Sequence, residues 1–144
     1  MGRVIRTNSP TTVRNRARRT IAEMMRRVGE KRTMDDDVKD MAATIVLSLV
    51  TIDETIKQAI TAWEKRDYWV KAERFQHEWL WVPEQAANLD DVLRHEAWDL
   101  IPDLLMELMP RFADVSVNKM TRKPDTWLGN YARLIDMKPL EQPY

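Results

Sequence analysis

The sequence predicts an all-α protein, because long apolar stripes at helical spacing occur with almost no glycine and no strand-like alternation. The chain has 144 residues and three glycines. No window alternates apolar β-branched residues with polar ones, as a half-buried strand would. We therefore expect an antiparallel helical bundle of four to six helices. At this length one hydrophobic core should hold most of the apolar side chains.

Breakers at both ends suggest three parts. Residues 1–11 contain the Asn8-Ser9-Pro10 breaker and no apolar period, which predicts a flexible basic arm. Residues 12–137 should form a single helical domain. Residues 138–144, with two prolines, should be a C-terminal tail.

Two helices are predicted in the first half. The first has Thr12 as its N-cap and ends at Gly29. Its stripe is Val13, Ala17, Ile21, Met24 and Val28. The second covers residues 35–65, since three aspartates from Asp35 favour a helix N-terminus. Its stripe, in steps of four and three, is Val38, Ala42, Ile45, Leu49, Ile52, Ile56, Ala59 and Trp63.

The apolar register changes after Trp63. The next series is Tyr68, Ala72, Phe75, Trp79 and Val82, which is offset by two residues, or about 200° around a helix. We expect a break or kink between Glu64 and Asp67, with Pro83 ending this segment.

Prolines divide the second half. Its stripe is Ala86, Leu89, Leu93, Ala97, Leu100, Leu104, Leu108 and Phe112. Pro102 and Pro110 interrupt it, which predicts helices over 85–100 and 103–113. A loop over 114–123 should precede a short helix that starts at Pro124. Its apolar residues are Trp127, Leu128, Tyr131, Leu134 and Ile135.

Charge is unevenly distributed, although the chain is neutral overall. Residues 1–32 carry ten basic and two acidic groups, while residues 33–115 carry eight basic and eighteen acidic groups. The basic set is Arg3, Arg6, Arg14, Arg16, Arg18, Arg19, Arg26, Arg27, Lys31 and Arg32. Arginine presents forked donors that suit phosphate and carboxylate.

Two partners fit this basic set. The arginines could contact nucleic acid, mostly at phosphates, because no base-reading motif is present. They could instead grip an acidic protein surface, either the body of this chain or a partner. The first predicts a non-enzymatic nucleic-acid-binding or assembly subunit, and the second a protein-interaction or homo-oligomeric scaffold.

Aromatic residues are concentrated between Trp63 and Trp98. Tyr68, Phe75 and Trp79 lie on the apolar stripe, so we expect core packing for them. Trp69 and Trp81 fall off the stripe and are candidate interface residues for a protein partner or an oligomer.

Glu73, His77, Asp91 and His95 form a metal-like set, with each pair spaced i and i+4. A fold-back near Pro83 cannot turn both these residues and the aromatics toward the partner helix. Burial of the aromatics should prevail, at ~1.5 to 3 kcal/mol each, so we expect no metal site and no cofactor.

Signatures of catalysis are missing. There is no glycine-rich phosphate loop, no Gly-x-Ser-x-Gly elbow and no His-Glu-x-x-His motif, and we expect no enzymatic activity. The chain has no cysteine, no apolar signal segment and no uncharged apolar stretch near ~20 residues. These features predict a cytoplasmic protein that does not bind membranes.

Overall fold

The computed structural model describes residues 9–144, and in this range the protein is all-helical. No residue in this range forms a β-strand, as predicted. The six α-helices in this range are α1 (Pro10–Gly29), α2 (Asp36–Glu64), α3 (Trp69–Glu78), α4 (Trp81–Arg94), α5 (Ile101–Leu108) and α6 (Asn130–Asp136). Short 3-10 turns cover Trp98–Leu100, Met109–Phe112 and Pro124–Thr126. In residues 9–144, no helix combines the length and apolar character that crossing a bilayer requires.

Helix α1 begins earlier than predicted. Ser9, not Thr12, is the N-cap, and its hydroxyl accepts a hydrogen bond from the Thr12 N–H. Pro10 occupies the first turn, where a missing N–H is tolerated. Of the predicted arm, Ser9 is therefore the cap and Pro10 and Thr11 belong to α1, while residues 1–8 lie outside the described residues.

Helix α2 is the central element, and its bounds agree with the prediction. Asp35 caps it by accepting a 2.9 Å hydrogen bond from the Val38 N–H. It contacts α1, α3, α4 and α6. Its predicted stripe forms the centre of the core, since Ile45, Leu49 and Ile52 have no exposed surface.

The predicted break after α2 is confirmed. The helix ends at Glu64, and Asp67 adopts a left-handed conformation with φ of 62°. This turn starts α3 in a new direction, with Ala72 buried and Phe75 half-buried. Tyr68, which we expected in the core, is 52% exposed because it precedes α3 at the corner.

Three proline assignments were wrong in detail. The helical segment that follows Tyr68 ends at Glu78 and not at Pro83. Pro83 lies in the first turn of α4, where no intrahelical donor is lost. Pro102 likewise lies at the start of α5 and does not separate two helices. Pro124 starts a 3-10 turn, so Trp127 and Leu128 precede α6.

Helix α6 is attached to α2 by polar contacts. The Asp40 carboxylate accepts hydrogen bonds from the N–H groups of Gly129, at 3.1 Å, and Tyr131, at 3.0 Å. The Asn130 amide donates a buried 2.8 Å hydrogen bond to the Thr44 hydroxyl. Gly129 has a φ of 84°, a conformation that glycine adopts without strain.

Candidate functional site

Residues 113–123, which we call the strap, contain no helix and lie along α1. The predicted loop at 114–123 is thus confirmed as irregular backbone. Its main attachment is Glu23, an α1 residue with no exposed surface. The Glu23 carboxylate accepts hydrogen bonds from the N–H groups of Thr121 and Arg122, both at 2.8 Å, and from the Thr121 hydroxyl at 2.6 Å.

The ionisation of Glu23 reflects these donors. Burial alone would raise its pKa. The backbone N–H of Arg122, the Thr121 hydroxyl, the Arg19 guanidinium and the backbone N–H of Thr121 outweigh burial and lower the pKa from 4.5 to about 2. Glu23 is therefore a charged group at neutral pH, enclosed between α1 and the strap.

Arginines of α1 hold the strap on either side of Glu23. Arg18 forms a forked pair with Asp114, at 2.9 and 2.6 Å, and donates to the Arg111 carbonyl oxygen at 2.9 Å. Arg19 donates to Glu23 at 2.8 Å and to the carbonyl oxygens of Ser116, at 2.9 Å, and Lys119, at 2.6 Å. Arg19 thus joins two points of the strap to α1, and Arg18 joins α1 to the start of the strap and to Arg111 just before it.

The far end of the strap is held in the same way. Arg26 donates to the Val117 carbonyl oxygen, and Arg27 donates to that of Arg122 at 3.0 Å. Arg122 returns a contact to α1, since its Nε donates to the Thr20 hydroxyl at 3.0 Å. The Arg27 guanidinium also lies 4.9 Å above the ring of Trp127.

Most strap acceptors are neutral. Among the described residues, Asp114 is the one carboxylate beyond α1 and its C-cap that pairs with an arginine of α1, and the other pairs use Glu23 within α1 and the C-cap residue Glu30. The strap also carries Lys119, Arg122 and Lys123. Without Arg14, which turns toward α2 and α3, residues 10–30 and 111–123 hold nine basic and three acidic side chains, so the helix and strap form one strongly basic face.

Apart from the four arginines that hold the strap, two of the predicted basic residues contact other parts of the chain. Arg14 turns inward: it donates to the Thr55 hydroxyl at 3.0 Å, its guanidinium lies 5.4 Å from the Phe75 ring and 5.5 Å from the Trp79 ring, and burial lowers its pKa. Lys31 pairs with Asp35 at 2.9 Å and with Asp37 at 3.8 Å, where α1 leads into α2.

The four remaining members of the basic set lie at the surface or beyond the described range. Arg16 and Arg32 are exposed. Within residues 9–144, their side chains make no hydrogen bond or salt bridge, so they are free to meet a partner. Arg3 and Arg6 lie outside the described residues.

The two predicted interface tryptophans differ in environment. Trp69 is 58% exposed at the corner between α2 and α3, beside Tyr68 and Val70. Trp81 is half-buried: it stacks on Trp79, with ring centroids 6.0 Å apart, and meets Phe112 edge to face at 5.7 Å. The surface of Trp81 is therefore covered largely from within the chain, whereas that of Trp69 faces solvent.

The metal-like residues are not brought together. His95 contacts Asp91 at 3.1 Å, and both side chains are 73% exposed. His77 and Glu73 lie exposed on α3. In residues 9–144 no three side chains of metal-ligand type form a cluster.

Glu23 is the residue that the sequence analysis did not identify. Its signal was present but weak: it is the one carboxylate inside an arginine-rich helix, four residues after Arg19. Its burial depends on residues 121–122, about a hundred positions away, which no local pattern reveals.

No protein-family model matches this sequence, and neither the curated proteins nor the solved structures gave a match. Function must therefore be inferred from the basic face and the exposed corner.

Proposed function

We propose that this protein is a non-enzymatic, nucleic-acid-binding or assembly subunit, built as an antiparallel helical bundle, that contacts phosphates through the face formed by α1 and the strap. One observation carries the proposal: basic side chains far outnumber the carboxylates on α1 and the strap, so the ion pairs of Arg18, Arg19 and Arg26 leave a net positive face. A polyanion gains from approaching this excess positive charge.

The same observation argues against the view that the arginines neutralise the acidic body. That role would pair them with carboxylates of residues 33–115, yet within the described residues Asp114 is the one such partner. The strap adds further positive charge at the surface through Lys119 and Lys123, both exposed. We expect contacts to phosphate and not to bases, so affinity should depend weakly on sequence.

The test removes exposed charges that do not hold the strap. Arg16, Lys119 and Lys123 are changed together to Gln, and binding to several unrelated short DNA duplexes and single strands is measured by fluorescence anisotropy over a salt series. The matched control changes three other exposed basic residues to Gln, namely Lys65, Arg66 and Arg74 near the α2–α3 corner. Both variants lose the same net charge.

For duplexes, the slope of log affinity against log salt should decrease in magnitude by roughly 0.9 for each lost phosphate contact in the first variant. The control should retain most of the slope and affinity. The proposal is wrong if the unmutated protein fails to bind at low salt, or if the two variants lose affinity equally.

A second candidate function is a protein-interaction or homo-oligomeric scaffold, and the corner supports it. Tyr68, Trp69 and Val70 are 52%, 58% and 64% exposed, an apolar group of the kind that protein partners cover. This candidate does not exclude the first, since an assembly subunit uses both kinds of surface.

A further inference from the structure

The strap covers a side of α1 that the apolar stripe does not account for. Ala17, Ile21 and Met24 face the core, while Glu23 lies about 100° to 160° around the helix from them at ~3.6 residues per turn. Glu23 is nevertheless fully buried, because the backbone at 121–122 lies over it. The strap thus excludes solvent from groups that the helix alone would expose.

The attachment of the strap is mainly polar. Seven α1 residues hold it through hydrogen bonds: the side chains of Arg18, Arg19, Thr20, Glu23, Arg26 and Arg27, and the backbone carbonyl of Arg16. Its apolar contact with the core is provided by Val115, which is half-buried. Irregular backbone with few apolar contacts is the kind of segment that opens locally at low free-energy cost.

Two of these arginines have unused donors beneath the strap. The Nε atoms of Arg18 and Arg27 are buried and have no hydrogen-bond partner among the described residues. A guanidinium bound to carbonyl oxygens is also weakly satisfied compared with one bound to phosphate, where the charge-assisted bonds are about twice as strong. A phosphate could therefore replace the strap carbonyls as the better acceptor.

We propose that the strap is a displaceable cover, and that phosphate groups of nucleic acid compete with its carbonyl oxygens for Arg19, Arg26 and Arg27 and with its Asp114 carboxylate for Arg18. The inference rests on the proposed function and adds its regulation. The closed form meets phosphates only through exposed side chains such as Arg16. The open form adds four guanidinium groups and binds tightly, so closure limits the affinity.

Glu23 stabilises the closed form in this scheme. Its carboxylate accepts three hydrogen bonds from residues 121–122, and opening breaks them all. Weakening this attachment should therefore raise the affinity for a polyanion, the opposite of what loss of a binding residue would do.

The experiment compares Glu23→Gln with Glu30→Gln. Both variants remove one negative charge, but Glu30, the C-cap of α1, has a 67% exposed side chain that pairs with Arg26 at 3.7 Å and makes no hydrogen bond or salt bridge with the strap among the described residues. If the strap competes, Glu23→Gln should bind a short DNA duplex about tenfold more tightly than Glu30→Gln, since ~1.4 kcal/mol changes an equilibrium tenfold. Thr121→Val, which removes the hydroxyl donor alone, should shift affinity in the same direction and keeps the experiment informative if Glu23→Gln does not fold.

Hydrogen exchange gives a second readout. Amides of residues 113–123 should exchange faster in Glu23→Gln than in Glu30→Gln, and adding the duplex to the unmutated protein should speed their exchange. Slower exchange on adding the duplex would mean that the strap stays in place under the ligand, and the inference would be overturned.

A cross-link provides the reverse test. The described chain has no cysteine, so Thr20→Cys with Arg122→Cys can be joined by a short bismaleimide, and the same variant capped with N-ethylmaleimide is the control. Locking the strap should weaken duplex binding relative to the capped form.

Equal affinities of the locked and capped forms would overturn the inference that the strap is a displaceable cover, but would leave the proposed phosphate binding intact. Absence of duplex binding in every form, including Glu23→Gln, would instead overturn the proposed function and the inference with it.

Discussion

The Glu23 carboxylate accepts a 2.8 Å hydrogen bond from the backbone N–H of Arg122, which is 99 residues further along the chain. This contact connects the first helix to a segment near the end of the chain. It joins the most basic helix to a segment that is itself basic, and a buried carboxylate between them lowers the repulsion. This carboxylate therefore favours the arrangement in which the strap lies along α1, together with the hydrogen bonds that Arg18, Arg19, Arg26 and Arg27 donate.

The stability that Glu23 contributes should depend on pH. Its pKa in the folded protein, about 2, lies below the ordinary 4.5, so the charged form is stabilised by folding. The contribution is complete above pH 4.5 and is lost as the pH falls toward 2. Glu23→Gln should lower the free energy of unfolding by roughly 1.5 to 3 kcal/mol at neutral pH.

Urea denaturation at neutral pH and at several acidic values measures this difference. The gap between the unmutated protein and the variant should narrow as the pH falls through the window. Glu30→Gln is the control and should change stability little. A gap that stays constant with pH would mean that the carboxylate charge does not hold the strap.

The core prediction concerns α2. Leu49 has no exposed surface, and Leu49→Ala should lower the free energy of unfolding by about 2 to 5 kcal/mol through lost burial and a residual cavity. Leu128, which is 51% exposed, provides the comparison, and Leu128→Ala should change stability by ~0.5 kcal/mol or less. Thermal or urea unfolding followed by circular dichroism would show both, and similar losses at the two positions would contradict the assigned core.

Long apolar stripes were sufficient to predict α2 and the buried face of α1. The stripe of α2 is continuous over eight positions, so its period is unambiguous, and Asp35 marks where it starts. The effect of each proline was harder to predict. A proline in the first turn of a helix, such as Pro83 or Pro102, cannot be distinguished in the sequence from one that interrupts a helix. The exposure of Tyr68 was missed because the turn at Asp67 places it before α3.

Whether each arginine is buried, paired or exposed could not be predicted from the sequence of α1 alone. Arg14 and Arg16 are two residues apart in the same basic run, yet one contacts Phe75 and Trp79 and the other is exposed. The arginines of α1 that have partners find them far along the chain: Arg14 at Thr55 and α3, and Arg18, Arg19, Arg26 and Arg27 at the strap. Charge pattern indicates that a basic surface exists, whereas the tertiary fold decides which guanidiniums are available.

Arg14 should behave as a structural residue. Arg14→Ala removes the hydrogen bond to Thr55 and two ring contacts, and we expect a loss of roughly 1 to 2 kcal/mol in unfolding free energy. Arg14→Lys should recover part of it, because an ammonium keeps the charge but not the planar fork. Arg16→Ala should be nearly neutral for stability, and a larger loss there than at Arg14 would reverse the assignment.

The C-terminal residues should contribute to stability, although the sequence marked them as a tail. Leu140 packs on the core, and its N–H donates to the buried Asp90 carboxylate at 3.0 Å. Deleting residues 138–144 should lower the unfolding free energy by roughly 1 to 3 kcal/mol. Deleting only 143–144 retains Leu140 and should have a smaller effect. Equal effects of the two deletions would show that the contact of Leu140 with Asp90 contributes nothing.

Self-association should depend on the corner between α2 and α3. Trp69 exposes 58% of its surface between Tyr68 and Val70, and burying such a group against a second copy removes apolar area from water. Sedimentation at micromolar concentration should therefore show a species heavier than the 17.0 kDa monomer. Trp69→Lys should return the protein to that monomer. Met106→Lys, at a 69% exposed position on α5, adds the same charge elsewhere and should leave the assembly intact.

If the unmutated protein sediments as a single 17.0 kDa species, the corner is not a self-association surface. Dissociation by Met106→Lys but not by Trp69→Lys would move the interface to α5.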